Sequence, residues 1–164
     1  MSIKDKYKIV DEEYYSCIKN ILENEMVKKM DDYIQHGKTT TLYHSILVSY
    51  SSYKIAKKFS WNYQSVARAA LLHDFYLYDW HKVVEKKKLF EKHGFTHPQK
   101  ALDNANQYFE LNELEKDIIL KHMWPLTFRK IPRYKESILV SCVDKISSTK
   151  ETLIPFFELL KNKN

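Results

Sequence analysis

Six side chains in this sequence have the types and spacing of a metal centre: His44, the adjacent pair His73-Asp74, His97, His122 and Asp144. The pair closes the apolar run Ala69-Ala70-Leu71-Leu72, where an ionised carboxylate costs several kcal/mol, in order of magnitude, unless something positive meets it. Asp144 raises the same demand inside the stretch 138–146, with Lys145 or another basic side chain as its alternative partner. Imidazole and carboxylate without thiolate suit iron or manganese, and also magnesium, zinc or nickel, better than a soft metal. Six ligands exceed the closed tetrahedral shell of a structural zinc site, whereas two ions sharing a carboxylate fit the count. Such a pair can lower the pKa of a bridging water and clamp a phosphoryl oxygen during in-line attack.

Successive candidates are separated by 22 to 29 residues, about one helix and its connection, so consecutive helices can each carry one to a common point. The pattern predicts a first helical segment over 11–30, with Tyr14, Ile18, Ile21, Leu22, Glu25 and Met26 on one face, and a loop at His36-Gly37. A second helix, 41–59, holds His44 in its first turns. From Gln64, the positions Val66, Ala69, Ala70 and His73 follow i, i+3, i+4, i+7, which puts His73 on a buried stripe. Adjacent helical residues point about 100° apart, so an ion shared by His73 and Asp74 must sit between them near the helix end. Residues 75–95 read as a long irregular connection. Thr96-His97-Pro98 reads as a helix start, since Thr caps well and Pro is tolerated in the first turn. Asn112 with Glu115 resembles a capping box that opens a helix ending near His122. A helix over 134–150 carries Asp144; Pro155 is expected to limit or kink the last helix, and 161–164 to fray.

Only two glycines and four prolines punctuate the 164 residues, and hydrophobic alternation is nearly absent. These features predict an all-α, compact helical bundle. The length fits a single domain, 1–164, with 1–35 as a helical extension packed on a core of about 36–151. The net charge of +6 favours anionic partners, but most lysines lie on helical stretches facing solvent, which argues against nucleic acid as the main ligand. Cys17 and Cys142 do not form a disulfide framework. With no apolar run long enough for a leader or a membrane span, the expected location is cytoplasmic. His36, His81 and His93 fall in loop-like segments and read as solvated or supporting residues.

With these residues placed, the segments "LYHS", "ALLHD", "THP", "KHMWP" and "DK", spread over about 36–151, resemble the HD-domain superfamily of metal-dependent phosphohydrolases. The two intervening histidines point to its binuclear H…HD…H…H…D variant. The resemblance implies a compact bundle of helices in which His44, His73, Asp74 and Asp144 hold one metal. It implies that His97 and His122 hold a second, with Asp74 bridging, and that hydroxide between the ions attacks a phosphoester or nucleotide anhydride. Asp74 would then also orient the nucleophile. The partner implied is a small phosphorylated substrate, with nucleotides among the candidates. Many members place a lysine or other polar residue soon after the HD pair; here the segment is Phe75-Tyr76-Leu77-Tyr78-Asp79-Trp80-His81, whose rings either stack a base or pack. Lys145, His81, Lys82, Arg129 and Lys130 are the candidates for phosphate contact, and Arg129 and Lys130 follow His122 closely enough for a site rim. Some similar proteins use the same ligand arrangement for a di-iron pair that activates oxygen. An oxygenase, or a non-catalytic nucleotide- or partner-binding module, is therefore the alternative to the hydrolase. Oligomeric state is open.

Overall fold

The computed structural model describes residues 2–36, 39–77 and 93–161. Side-chain caps set where its helices begin. After the short α1 (Ile3–Lys6), Asp11 accepts the Tyr14 N–H at 2.9 Å and starts α2 (Glu12–Leu22). The single helix expected over 11–30 is corrected at Asn24. Its Oδ1 accepts from the N–H groups of Met26 and Val27 at 2.9 and 3.4 Å, opening a separate α3 (Glu25–Lys28) that runs into a 3-10 turn, Lys29–Asp32. The break re-phases the chain, so Val27 and Met30 enter the core while Glu25 faces solvent.

Next comes a small hairpin, the one sheet among the described residues. β1 (Ile34–His36) pairs antiparallel with β2 (Thr39–Thr40), and the Thr41 N–H donates to Tyr33 O at 2.8 Å to close it against the next helix. The all-α architecture holds; the hairpin's role is local, for it turns Gln35 into the interior, where it is 6% exposed.

Thr40 caps α4 (Thr41–Lys58), which ends almost where the sequence places it. The Ser60 N–H donates to Lys57 O and the Trp61 N–H to Ala56 O, the double bond of a Schellman stop, with Ser60 at φ 54° in the place glycine usually takes. Asn62 then caps α5 (Tyr63–Leu72). The small residues Ala67, Ala69 and Ala70 let α5 approach its neighbours closely: Tyr14 Oη donates to Ser49 Oγ at 2.8 Å, and Ser49 Oγ to Ala67 O at 2.7 Å, tying α2, α4 and α5 together. Around this tie Ile18, Ile21, Leu22, Leu42, Leu71 and Leu72 join one apolar core with Ile118, Ile119 and Val140 of the later helices.

Helix α6 (His93–Tyr108) starts three residues before the expected cap at Thr96, so Pro98 stands inside it rather than opening it. The cost is one missing N–H in an otherwise continuous ladder. Asn112 and Glu115 form the expected reciprocal capping box of α7 (Glu113–Lys121), with His122 as its C-cap. The last helix, α8 (Lys135–Lys161), passes Lys150 and Pro155 instead of stopping, again for the loss of a single donor. Buried Asp117 binds the α7–α8 connection to this frame: it accepts from the Arg133 N–H at 3.0 Å and Ser137 Oγ at 2.8 Å, and pairs with Lys121 at 2.5 Å. On α8, Ile138 and Ile146 are exposed while Asp144 points inward, the reverse of what their polarity alone dictates. Among the described residues, no helix is long and apolar enough to cross a membrane.

Candidate metal centre

The six residues singled out by type and spacing converge inside the bundle. His44 comes from the first turn of α4, His73 and Asp74 from the end of α5, His97 from α6, His122 from the end of α7 and Asp144 from α8, and all are buried. The rings run in series, with centroids 5.5 Å apart for His44–His73, 4.9 Å for His73–His122 and 4.8 Å for His122–His97. Asp144 Oδ1 lies 3.1 Å from His44 Nε2 and 3.7 Å from His73 Nε2. Asp74 stands at the middle with its two oxygens facing opposite ways. Oδ2 is 3.3 Å from His73 Nε2, whereas Oδ1 is 3.1 Å from His97 Nε2 and 3.5 Å from His122 Nε2.

The outer nitrogens determine what the inner ones present. His73 Nδ1 lies 2.7 Å from Ala70 O and His122 Nδ1 lies 2.8 Å from Ile119 O. A carbonyl only accepts, so each Nδ1 carries hydrogen, and once the ring is neutral its Nε2 lone pair is turned inward. His122 Nε2 meets His97 Nε2 at 2.8 Å, a contact that requires a proton or another cation between two nitrogens. His44 Nδ1 lies 3.1 Å from both oxygens of Glu151, which fixes its inner nitrogen in the same way.

Of the buried side-chain polar atoms without a hydrogen-bond partner among the described residues, two belong to the cluster, His73 Nε2 and Asp74 Oδ1. His73 Nε2 faces the Asp74 and Asp144 carboxylate oxygens at 3.3 and 3.7 Å, and Asp74 Oδ1 faces the His97 and His122 nitrogens at 3.1 and 3.5 Å, without forming hydrogen bonds, as expected where a cation belongs between them. The donor atoms of His44, His73 and Asp144 lie within 4.8 Å of one another, as do those of His73, Asp74 and His122; either group can hold a metal ion. Imidazole nitrogen and carboxylate oxygen at this density suit a divalent transition metal.

Charge inside the cluster is balanced by protons when no metal is present. Burial opposes charge on His44, but its hydrogen bonds to Asp144 and Glu151 prevail and push its pKa up to about 9. Burial likewise opposes ionisation of Asp74 and Asp144, and the neighbouring imidazoles outweigh it, holding both carboxyls well below the usual range. His73 is raised well above the usual imidazole value, because the two carboxylates overcome its burial. His122 moves the other way, down to about 3, through burial and repulsion from His97 and His73.

Around the cluster stand residues that the sequence pattern did not single out. Glu151 lies on α8 seven residues after Asp144, two turns along the same face, and this spacing is the signal that finds it. Gln35 Nε2 donates to Asp74 Oδ2 at 2.5 Å from 39 residues upstream, and no local pattern marks it. Removing the Glu151 carboxylate with Glu151→Ala is expected to weaken metal binding by roughly 10- to 100-fold, read by titration with manganese.

The candidates for phosphate contact are placed differently. Lys145 Nζ donates to His122 O at 2.8 Å and to Ser141 O and Oγ at 3.3 and 3.1 Å, while Asp144 Oδ2 is 3.8 Å away. It thereby fastens α8 to the end of α7 beside His122, and burial lowers its pKa. Arg129 and Lys130 lie on the connection leaving His122, with the Arg129 guanidinium over the exposed Phe128 ring at 5.5 Å. His81 and Lys82 lie outside the described residues. Of the aromatic run after the HD pair, Phe75 and Tyr76 are fully buried; Phe75 packs on Tyr108 and Phe109, and Tyr76 meets His97 edge-on at 5.9 Å.

No curated protein and no solved structure matches the chain. The HD domain family does, over residues 41–149, a span that contains all six clustered residues. That family consists mostly of metal-dependent phosphohydrolases on an all-α fold, and both the helices and the buried His/Asp cluster agree with it. With more than half of its length matched, the chain belongs to the HD domain family.

Proposed function

We propose that the chain is a metal-dependent phosphohydrolase that cleaves a phosphoester or nucleotide anhydride in a small substrate. In this reading His44, His73, Asp74 and Asp144 hold one divalent ion, and His97, His122 and the far oxygen of Asp74 hold a second. The observation that carries it is Asp74: one buried carboxylate with one oxygen facing His73 and the other facing His97 and His122. Ions held there supply an ionisable water at neutral pH and a clamp on a phosphoryl oxygen.

The protein's own contribution is orientation. Ala70 O and Ile119 O fix the ring planes of His73 and His122, and Glu151 fixes His44. Asp74, ionised and buried, would orient the attacking water. The Lys145 ammonium keeps His122 in register through its carbonyl. Arg129 and Lys130 supply positive charge for substrate phosphate at the rim.

The test is elemental analysis of protein purified without chelator or added metal, and then turnover assays. The panel takes p-nitrophenyl phosphate, bis(p-nitrophenyl) phosphate and nucleoside mono-, di- and triphosphates, each with iron(II) or manganese. About two ions per chain and metal-dependent hydrolysis are expected. One ion per chain would reassign His97 and His122 to substrate contact. Absence of turnover across the panel, together with iron-specific consumption of dioxygen, would replace hydrolysis with oxidation.

A further inference from the structure

Asp74 is gripped from outside the imidazole cluster. Gln35, at the hairpin and 6% exposed, donates from Nε2 to Asp74 Oδ2 at 2.5 Å. Its own Oε1 accepts from the Tyr76 hydroxyl and from Thr41 Oγ1, the latter at 3.4 Å. An ionised carboxylate only accepts, so the amide nitrogen must face Asp74 and the amide oxygen must face the two hydroxyls. The carboxamide therefore has a single orientation, enforced from both ends by residues on two other segments, Thr41 in the first turn of α4 and Asp74 and Tyr76 in the stretch after α5.

The grip is one-sided. It engages only Oδ2, the oxygen on the His73 side, and leaves Oδ1, which has no hydrogen bond, turned to His97 and His122. A carboxylate rotates readily about its terminal bond, since that torsion is broad and two-fold. Fixing one oxygen fixes the direction of the other. We infer that Gln35 is a positioning residue, locked by Tyr76, that holds the Asp74 carboxylate across the two halves of the cluster and so determines whether the second ion is bound alongside the first. The inference rests on the two-ion reading of the site and adds a residue that neither the ligand set nor the family match contains, since Gln35 precedes the matched span.

Manganese is the probe, titrated into metal-stripped full-length protein, with ions per chain counted and the electron paramagnetic resonance spectrum recorded. Two manganese ions joined by one carboxylate couple magnetically, and a merely structural residue would not alter that signature. In unaltered protein two ions and the coupled spectrum are expected. Gln35→Leu, which keeps volume and removes the donor, should retain the first ion, weaken the second by roughly 10- to 100-fold and abolish the coupled signal, with its circular dichroism unchanged. A variant that binds both ions with unaltered affinity and coupling overturns the role of Gln35 and leaves the two-ion reading standing. Fewer than two ions in the unaltered protein at saturating manganese overturns that reading, and the inference with it. Should Gln35→Leu fail to fold, Tyr76→Phe takes its place. It keeps the donor but frees the amide to turn, so a several-fold weaker second ion is expected, and behaviour identical to the unaltered protein overturns the inference.

Discussion

Replacing Asp74 with alanine is expected to cut phosphoester turnover by about a thousandfold or more and to leave the protein almost without metal. One of its oxygens faces His73 and the other faces His97 and His122, so its carboxylate joins the halves of the cluster. Loss of the negative charge also leaves Asp144 as the one cluster carboxylate against four imidazoles. Asp74→Asn is the informative companion, because it keeps the shape and one acceptor oxygen while removing the charge, and it should lose metal nearly as completely. His97→Ala and His122→Ala, by contrast, should mainly weaken the second ion. The comparison is read by elemental analysis and kcat/KM on the same preparations, with circular dichroism as the control for folding. Normal turnover in Asp74→Ala would place the chemistry elsewhere in the molecule.

Metal-free protein is expected to lose stability as pH rises from 6.5 to about 9, and added manganese to stabilise it more strongly across that same interval. His44 and His73 are the cause. Folding raises both above the usual imidazole value of 6.5, His44 to about 9, so their contribution is complete below 6.5 and gone once pH passes the folded value. On the acid side His122, lowered to about 3, favours folding only while neutral, and its contribution shrinks as pH falls below 6.5. The depressed carboxyls of Asp74 and Asp144 add their loss below the usual 3.8. The cluster therefore supports the metal-free fold best near pH 6.5. Metal binding must displace the protons on His44 and His73, which becomes easier as pH climbs. Thermal melts from pH 5 to 9.5, with and without manganese, should diverge progressively above 6.5; parallel curves would show that these imidazoles do not meet the ion.

The buried His/Asp cluster is legible in the sequence because its members couple an unusual residue type to helical phase. His73 sits on the buried stripe of α5, and Asp144 is an acid within a largely apolar stretch of α8. Helix starts are legible where a side chain caps locally, as at Asn112. Choices set by distant packing are not. Asn24 is as good a cap as Asn112, yet a cap inside a continuous amphipathic pattern is readable only once Val27 and Met30 are seen to need burial. Pro98 and Pro155 are helix-breaking by local preference, and α6 and α8 override them with the rest of their hydrogen-bond ladders. Gln35 acts through a partner 39 residues away, so its meaning exists only in three dimensions. Glu151 stays hidden when the last helix is ended one residue too early.

His73 and His122 each terminate a helix and are each held by the carbonyl three residues back in that helix. Their ring orientation is thus a property of short-range chain geometry, available as soon as the last turn of α5 or α7 forms. The long-range work left to folding is to bring two pre-aimed rings together, and not to search their side-chain torsions after collapse. In kinetic terms the entropy of ordering these rings is spent early, in contacts of low sequence separation. Such a chain should capture metal at a late, cooperative step, with little conformational search remaining at the site itself.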